Sequence, residues 1–328
     1  MKIGILGSGM IVPSHAETVK AIAGLQDIAI CCVPEEIERA TKIAHDFEIE
    51  HIYTDYDEML NNDAIDAIYI AVPNHLHYEM SLRAIRANKF VICEKPFTST
   101  TKEASHLFEE AKKYKVMIWE AITTIYIPNY IDMKENLSLL GDIKIITCNY
   151  SQYSSRYDKF REGVVLPAFD PKCSGGALAD INIYNLHFVI GMFGEPTDVK
   201  YYANVERGID TSGLVILQYP TFQAVCVGAK DCGAPGGINV QGSKGYYHSS
   251  VPAFTCESYL LKLNEEVSIE INKNDSKMRM KYELTAFEKM FRELDYDWYD
   301  IVSKHTLTVV KVAEKARKHA GFSFDADE

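Results

Sequence analysis

The sequence predicts two domains. Residues 1–120 are expected to form an α/β domain on a doubly wound parallel sheet, and residues 121–328 an α+β domain with an open, mainly antiparallel sheet. With 328 residues, the chain exceeds the size at which single hydrophobic cores stop growing. Short apolar runs alternate with amphipathic segments in the first part, whereas long alternating segments dominate beyond residue 142, and this change of pattern predicts the two fold types.

Five short apolar runs in the first part predict buried strands. Runs of Ile, Val and Ala without polar alternation suit a parallel sheet that is covered on both faces. The runs are Lys2 to Leu6, Ile28 to Val33, Ala67 to Val72, Phe90 to Cys93 and Val116 to Trp119. Helical stretches fall between most of them, as in a doubly wound fold.

The second part has the alternation of an antiparallel sheet. The clearest segments are Ile143 to Tyr153, Leu214 to Tyr219 and Phe222 to Ala229. Tyr219-Pro-Thr-Phe222 and Gly242-Ser-Lys-Gly245 predict hairpin turns. One helix, over about 177–193, interrupts the strands and ends before Gly194 and Pro196, and a last helix is expected from His305 to His319.

Composition excludes several classes of partner. The formal charge of −12 repels phosphate backbones and anionic lipid surfaces, so neither nucleic acid nor a membrane is expected as a partner. The N-terminus enters a glycine motif directly, and the eight scattered cysteines form no C-x-x-C pair. We expect a soluble cytoplasmic protein with reduced thiols and no metal site.

The motif Gly7-Ser-Gly9-Met-Ile-Val12 follows the first strand and leads into a helical stretch. Unpaired backbone N–H groups and a helix dipole at such a turn bind a pyrophosphate that only glycine lets come close. We therefore expect Gly7, Gly9, Met10 and Ile11 to bind a dinucleotide. Val12 stands where the third glycine or alanine is usual, and we expect it to push the helix slightly off the strand.

An acidic residue at the end of the second strand bears on which cofactor binds. Glu35 lies 23 residues after Val12, close to the spacing of the acid that hydrogen-bonds the ribose 2′-hydroxyl of NAD. A carboxylate there would repel the 2′-phosphate of NADP, so NAD is expected and NADP is the alternative. Equally, Glu35, Glu36 and Glu38 suit a solvated first turn of the next helix.

Two further motifs follow strands of the first domain. Pro73-Asn74-His75-Leu-His77 comes after the strand at 67–72, and Glu94-Lys95-Pro96 after the strand at 90–93. Ligands of open α/β sheets bind at the carboxyl ends of strands, which makes Pro73, Asn74, His77, Glu94 and Lys95 candidate cofactor residues. Taken alone, Lys95 would more simply be a surface lysine before a proline.

The helix at 177–193 carries a polar stripe in an apolar run. Residues three and four apart are neighbours on a helix surface, so Asp180, Tyr184 and His187 are expected on one face.

Taken in order, the glycine motif, the P-N-H-x-H segment, Glu94-Lys95-Pro96, Glu120-Ala121 and the segment from Gly175 to Asp180 resemble the Gfo/Idh/MocA family of oxidoreductases. The resemblance continues through Asp210-Thr-Ser-Gly213 and Gly242-Ser-Lys-Gly245, nearly the whole chain. It implies an N-terminal Rossmann domain, a C-terminal open-sheet domain, and hydride transfer between NAD(P) and a sugar, polyol or diol.

The resemblance also implies roles for single residues. Lys95 corresponds to the lysine beside the nicotinamide, and Tyr184 replaces the histidine of D-x-G-x-H, as in the branch of glucose-fructose oxidoreductase and dimeric dihydrodiol dehydrogenase. Tyr184 is then the proton donor or acceptor, and the Lys95 cation favours its phenolate form. Asp180 would fix the substrate hydroxyl or hold Lys95. His187 would either contact substrate or be a structural histidine.

Two departures from the family pattern bear on the substrate, and both leave an alternative function open. Asn182 replaces the usual glycine and is expected to add bulk beside the site, and Ile125 stands where related enzymes carry arginine. Together with Val12, these departures would also permit a catalytically inactive NAD(H) sensor. A methyltransferase would share a glycine-rich loop but would not explain Glu94-Lys95-Pro96 or the segment from Gly175 to Tyr184.

Alternating apolar residues on the antiparallel sheet bear on assembly. The side chains of Leu214, Ile216, Val225 and Val227 cannot all pack on helices of their own domain, and an open sheet face needs a cover. By the family likeness, two such faces meet, so a homodimer or a pair of dimers is expected.

Overall fold

The computed structural model describes residues 1–327, which divide into two compact units. The first unit comprises Met1–Ala121 and Met280–Lys304, and the second comprises Ile122–Arg279 and the chain from His305 onward. The sequence suggested a single boundary near residue 120. The structure differs because the segment Met280–Lys304 carries an apolar face that packs within the first unit.

The first unit contains a six-stranded parallel sheet in the order β3-β2-β1-β4-β5-β6. Its strands are β1 (Lys2–Leu6), β2 (Gln26–Cys31), β3 (His51–Tyr53), β4 (Ala67–Ile70), β5 (Phe90–Glu94) and β6 (Ile118–Ala121). The strand order reverses between β1 and β4, which is where doubly wound sheets bind ligands. The predicted α/β class is confirmed. Only β3, a three-residue strand, was not expected.

The helices of this sheet follow its strands in alternation. They are α1 (Val12–Lys20), α2 (Ile37–Phe47), α3 (Tyr56–Leu60), α4 (His77–Arg86) and α5 (Thr101–Tyr114). A capping box begins α5, because the Thr100 hydroxyl accepts from the Glu103 N–H at 3.2 Å while the Glu103 carboxylate accepts from the Thr100 N–H at 3.1 Å. The start of α5 is thereby fixed close to the end of β5.

The second unit contains an eight-stranded sheet in the order β14-β13-β12-β11-β7-β10-β9-β8. Its strands are β7 (Ile143–Ser151), β8 (Asp198–Glu206), β9 (Ile209–Gln218), β10 (Gln223–Ala229), β11 (Gly237–Gly242), β12 (Gly245–Ser249), β13 (Tyr259–Leu263) and β14 (Ile269–Ile271). All pairs are antiparallel except β7 with β10. The predicted mainly antiparallel sheet is confirmed, and both expected hairpin turns join neighbouring strands.

Helices of the second unit are α6 (Pro128–Glu135), α7 (Tyr157–Arg161) and α8 (Ile183–Phe193). The sheet buries alternate residues: Ile146 and Cys148 of β7 are buried, as are Ala224 and Cys226 of β10. The opposite face carries exposed apolar side chains such as Ile145 and Leu214. The period-two pattern of the sequence thus gives one covered and one open face.

Two helices end the chain, α9 (Lys281–Glu293) and α10 (Tyr296–His319). The Phe287 ring of α9 stacks on Trp119 of β6 at 5.4 Å, and Phe291 meets Phe90 of β5 edge-on at 4.9 Å. These aromatic contacts explain why α9 belongs to the first unit. The sequence did not predict α9, and α10 begins at Tyr296 rather than at His305. None of the helices within residues 1–327 is both long and apolar enough to cross a membrane.

Candidate active site

The turn between β1 and α1 requires glycine at its first position. Gly7 has a φ of +111°, and a Cβ there would lie 2.3 Å from the carbonyl oxygen of Ala71. Its N–H donates to the Cys31 carbonyl at 2.8 Å. Helix α1 then begins at Val12, whose side chain is fully buried. Val12 therefore packs as a core residue, while Met10 beside it is exposed.

The carboxylate that reaches the glycine turn is Glu36. The Ser8 hydroxyl donates to Glu36 Oε2, and Arg39 Nη1 donates to the Ser8 carbonyl at 3.1 Å while lying 3.6 Å from Glu36 Oε1. Glu35 is exposed in the same short 3-10 turn, Pro34–Glu36. Motif spacing cannot separate two adjacent glutamates, so the sequence predicted Glu35 and gave no sign of the contact of Glu36.

His77 joins the loop that carries Pro73 and Asn74 to the loop that carries Lys95. Its Nδ1 lies 2.8 Å from the Pro96 carbonyl oxygen and its Nε2 lies 3.0 Å from the Val72 carbonyl oxygen. The ring is buried, and this burial lowers the pKa of His77 below its usual 6.5 although both carbonyls act in the opposite direction. His77 thus connects the loop bearing Pro73 and Asn74 to the loop bearing Lys95.

Two glutamates, the half-buried Glu94 and the buried Glu120, fix the backbone around Lys95. Glu94 accepts from the Tyr69 hydroxyl at 2.6 Å and from the Lys95 N–H at 3.2 Å. Glu120, at the end of β6, accepts from the Phe97 N–H at 3.2 Å. The turn after β5 therefore holds Lys95 at the carboxyl edge of the sheet, as expected for a cofactor residue.

In the second unit, the chain at Leu178–Asn182 is a π-helical turn that leads directly into α8. Such turns insert one extra residue into a helix and occur often at functional sites. The α-helical spacing therefore holds from Tyr184 to His187 and not across the turn that contains Asp180. The sequence pattern predicted one continuous α-helix, because a π turn leaves no periodic signal.

Asp180 forms an ion pair that the sequence pattern did not predict. Its Oδ2 lies 2.8 Å from Lys230 Nζ, and this ammonium also donates to the Ala168 carbonyl at 2.6 Å and lies 4.3 Å from the centre of the Phe169 ring. The Lys230 side chain is 1% exposed and that of Asp180 is 35% exposed. The one available signal was a charged residue directly after the apolar strand that ends at Ala229.

Asn182 points into the sheet. It is fully buried, and its amide donates to the Cys226 carbonyl at 2.9 Å and accepts from the Asn185 amide at 2.8 Å. A Cβ on Gly228 of β10 would lie 2.6 Å from the Asn182 Cβ, so glycine opposite makes room for it. The expectation that Asn182 adds bulk beside the site was wrong, since its volume is taken up against β10.

Tyr184 lies in an aromatic cluster. Its ring centre is 5.2 Å from that of Phe254 and 6.1 Å from that of Tyr150, and the Arg279 guanidinium lies 5.3 Å from the Phe254 ring centre. Ile125, expected at a position of substrate contact, lies against Gly191 of α8. The surroundings of Tyr184 are thus largely aromatic, with a nearby cation.

His187 is buried against His305 of α10. His187 Nδ1 and His305 Nε2 lie 2.9 Å apart, and one donates to the other. Burial, the His187 ring and Lys134 together hold the pKa of His305 well below its usual 6.5. This arrangement favours the structural alternative for His187 over substrate contact. Among residues 1–327, no group of three or more His, Cys, Asp or Glu side chains is placed to hold a metal ion.

Comparison with known families and proteins adds to this geometry. Residues 1–122 match GFO_IDH_MocA, described as an oxidoreductase family with an NAD-binding Rossmann fold, and residues 138–248 match the GFO/IDH/MocA C-terminal domain. The scyllo-inositol 2-dehydrogenase (NADP(+)) IolU of Bacillus subtilis is 34% identical over 330 residues, covering 100% of this chain and 99% of that protein.

More distant relatives extend the comparison. A trans-1,2-dihydrobenzene-1,2-diol dehydrogenase of Xenopus tropicalis is 26% identical over 224 residues, covering 66% of this chain and 65% of that protein. The crystal structure of a 3-ketoreductase from Actinomadura kijaniata in complex with NADP is similar in fold, with a TM-score of 0.80, 19% identity and 97% of each chain covered.

The buried histidine pair generates a testable pH dependence. Unfolded histidine binds its proton near pH 6.5, whereas folded His305 binds one only at lower pH. The unfolded state therefore holds more protons just below pH 6.5. The contribution of neutral His305 to the free energy of unfolding is complete above this pH. As the pH drops below it, the free energy of unfolding falls by about 1.4 kcal/mol per pH unit per proton. We expect His305→Gln to reduce this slope in urea unfolding followed by circular dichroism.

His45→Gln provides the control, because the His45 side chain is 88% exposed. It should leave the slope of the parent unchanged. An equal slope in His305→Gln and the parent would show that His305 is not held neutral by burial.

Proposed function

The chain belongs to the GFO/IDH/MocA family of NAD-binding Rossmann-fold oxidoreductases, and on that basis we propose that it transfers a hydride between a nicotinamide cofactor and a secondary alcohol or carbonyl of a sugar, polyol or diol. The observation that carries the proposal is the 34% identity with an inositol dehydrogenase over the whole chain. The presence of Lys95 directly after β5 and of Tyr184 in α8 supports it. An inactive sensor gains no support, since the curated relatives named above are dehydrogenases.

The residues of the first unit fit a nicotinamide dinucleotide. A side chain at Gly7 would collide with the Ala71 carbonyl, so the turn presents bare backbone at the start of α1, where N–H groups and the helix dipole attract a pyrophosphate. Gly7, Gly9, Met10 and Ile11 would hold this part of the cofactor. Pro73, Asn74, Glu94 and Lys95 would lie toward the nicotinamide, with His77 supporting their loops. When bound, the cofactor supplies or accepts the hydride.

The proton is handled by the chain's own residues. Oxidation of a carbinol carbon needs a base within hydrogen-bond reach of its hydroxyl and a charge that stabilises the developing alkoxide. We assign Tyr184 to the first role and Lys95 to the second. Asp180 would accept a hydrogen bond from the substrate.

Removing the phenol oxygen of Tyr184 tests this assignment. Tyr184→Phe keeps the ring that packs on Phe254 and loses only the proton-transfer group. We expect single-turnover hydride transfer to slow by about 100- to 10,000-fold while NAD(H) affinity stays within about two-fold. A panel of sugars, inositols and diols, read by NADH absorbance with NAD and NADP, would identify the substrate for this measurement.

Tyr219→Phe is the matched control, because the Tyr219 hydroxyl is also partly buried and donates to the Gly194 carbonyl at 2.8 Å at the β9–β10 hairpin. It should turn over at a rate close to that of the parent. A folded Tyr184→Phe variant that transfers hydride within a few-fold of the parent rate would remove Tyr184 from the mechanism.

Cofactor choice is the next testable part of the proposal. The carboxylates of Glu35 and Glu36 at the end of β2 favour NAD, because a 2′-phosphate would be repelled there, while Arg39 offers the opposing charge. We expect tighter binding of NADH than of NADPH. Glu36→Gln should narrow the ratio of the two dissociation constants more than Glu35→Gln, because Glu36 is the residue that reaches Ser8.

Fluorescence titration of the parent and of each variant with NADH and NADPH gives these ratios. Glu38→Gln is the control, since Glu38 is exposed in the first turn of α2. Glu38→Gln should leave the ratio unchanged, and Arg39→Gln should weaken NADPH more than NADH. Tighter binding of NADPH than of NADH by the parent would contradict the proposed preference.

The open face of the eight-stranded sheet supports a homodimer or a pair of dimers. Leu214 pairs with Val227 and Ile216 with Val225 across β9 and β10, so these four side chains form one apolar patch. Leu214 is 38% exposed, and Ile145 and Tyr202 on the same face are 48% and 55% exposed. Such a face is typical of a surface that another subunit covers.

The free, mostly buried thiols suit a cytoplasmic location.

We expect sedimentation at micromolar concentration to give a dimer or tetramer. Leu214→Lys places a charge in the centre of the patch and should shift the protein toward the monomer. Leu139→Lys is the control, because Leu139 is 43% exposed but lies outside the sheet. A monomeric parent would rule out the proposed assembly.

A further inference from the structure

A lysine that the proposed chemistry does not use lies beneath the segment that carries Tyr184. Lys230 directly follows β10 and is almost completely buried. Burying an ammonium is unfavourable unless its charge and its donors are satisfied, and here Asp180, the Ala168 carbonyl and the Phe169 ring surround it. Its position therefore depends on a carboxylate at residue 180.

Other bonds tie the same segment to the same strand. The Asn182 amide donates to the Cys226 carbonyl, and the Asn185 amide donates to the Val227 carbonyl at 3.0 Å. With Asp180 bound to Lys230, polar side chains along the π turn and the start of α8 meet β10 and the residue that directly follows it. Asp180 is the partly exposed member of this set, so its carboxylate is anchored on one side and accessible on the other.

A second carboxylate holds the backbone of the turn. Asp210 of β9 accepts from the Leu178 N–H and from the Tyr201 hydroxyl, both at 2.6 Å. Burial raises the pKa of Asp210 above its usual range, against the effect of these bonds and of Lys230. Lys230 thus lies near two carboxylates, Asp180 and Asp210. The one with which it forms an ion pair, at 2.8 Å, is Asp180.

We propose that Lys230 is a positioning residue of the hydride-transfer reaction: it keeps Asp180 ionised and oriented, so that Asp180 accepts a hydrogen bond from the substrate and takes up no proton during turnover. An unpaired carboxylate beside a developing alkoxide would raise the barrier, whereas an ion pair presents an acceptor with its charge balanced. The role in turnover rests on the proposed function, while the anchoring of the turn does not.

Lys230→Met tests the proposal, since methionine fills much of the same volume without the charge. Lys89→Met is the matched control. Lys89 is likewise buried and donates to the Asn62 and Ile65 carbonyls, each at 2.8 Å, but it precedes β5 at the strand end opposite Lys95. Both variants lose a buried ammonium, and only one loses a contact with Asp180.

The first readout is hydrogen exchange of peptides that span residues 176–187, which needs no substrate. We expect exchange there to become about 10-fold faster in Lys230→Met, because local opening of the turn becomes easier, and to stay at the parent rate in Lys89→Met. Lys230→Arg, which keeps the charge, should restore part of the protection. Unchanged protection in Lys230→Met would overturn the proposal.

The second readout separates positioning from a merely structural role. In Lys230→Met we expect kcat to fall about 10- to 100-fold, substrate KM to rise, and NAD(H) affinity to stay within about two-fold. The acid limb of the pH profile should move to higher pH, because Asp180 without its cation is protonated more readily. Asp180→Asn combined with Lys230→Met should lose this shift, since the titrating group is gone.

The outcomes distinguish this proposal from the proposed function. A parent protein that transfers no hydride to any compound of the panel contradicts the function, and the exchange measurement then decides the anchoring role alone. An active parent with the same pH profile in Lys230→Met overturns the positioning role. If Lys230→Met does not fold, exchange in Asp180→Asn decides instead: faster exchange at 176–187 supports the anchor, and parent-like exchange refutes it.

Discussion

The attachment of the π-helical turn Leu178–Asn182 to strand β10 is the constraint on which the second unit's chemistry depends. The turn precedes α8, so its position sets where Tyr184 lies and how Asp180 is presented. An apolar contact would hold the turn without fixing its rotation. The hydrogen bond from Asn182 and the ion pair from Asp180 fix both the position and the rotation of the turn. Gly228 leaves the space in which Asn182 packs.

The first unit meets a similar requirement by different means. Its cofactor candidates Pro73, Asn74 and Lys95 lie in loops after β4 and β5, and loops are less rigid than the strands they follow. His77 bridges these loops through two carbonyls, while Glu94 fixes the backbone at Lys95. In both units, buried polar side chains hold residues that the proposed reaction needs in a fixed place.

Local patterns predicted much of this architecture, and contacts between distant residues account for what they missed. Strand β1 and the turn at Gly7 follow from a buried apolar run and from steric conflict at a single residue. Lys230 and the return of α9 to the first unit depend on partners far along the chain, which no local period reveals. The bulk of Asn182 was misjudged because its direction depends on Gly228, 46 residues later (228 − 182).

The central claim is that this chain transfers a hydride between a nicotinamide and a carbinol carbon. It is tested most directly by supplying cofactor deuterated at C4 of the reduced nicotinamide together with the carbonyl form of a panel substrate. Mass spectrometry and NMR should show deuterium on the carbinol carbon of the product. No deuterium should appear in the solvent. A reduced product without deuterium at that carbon, from cofactor deuterated on either face, would contradict the account.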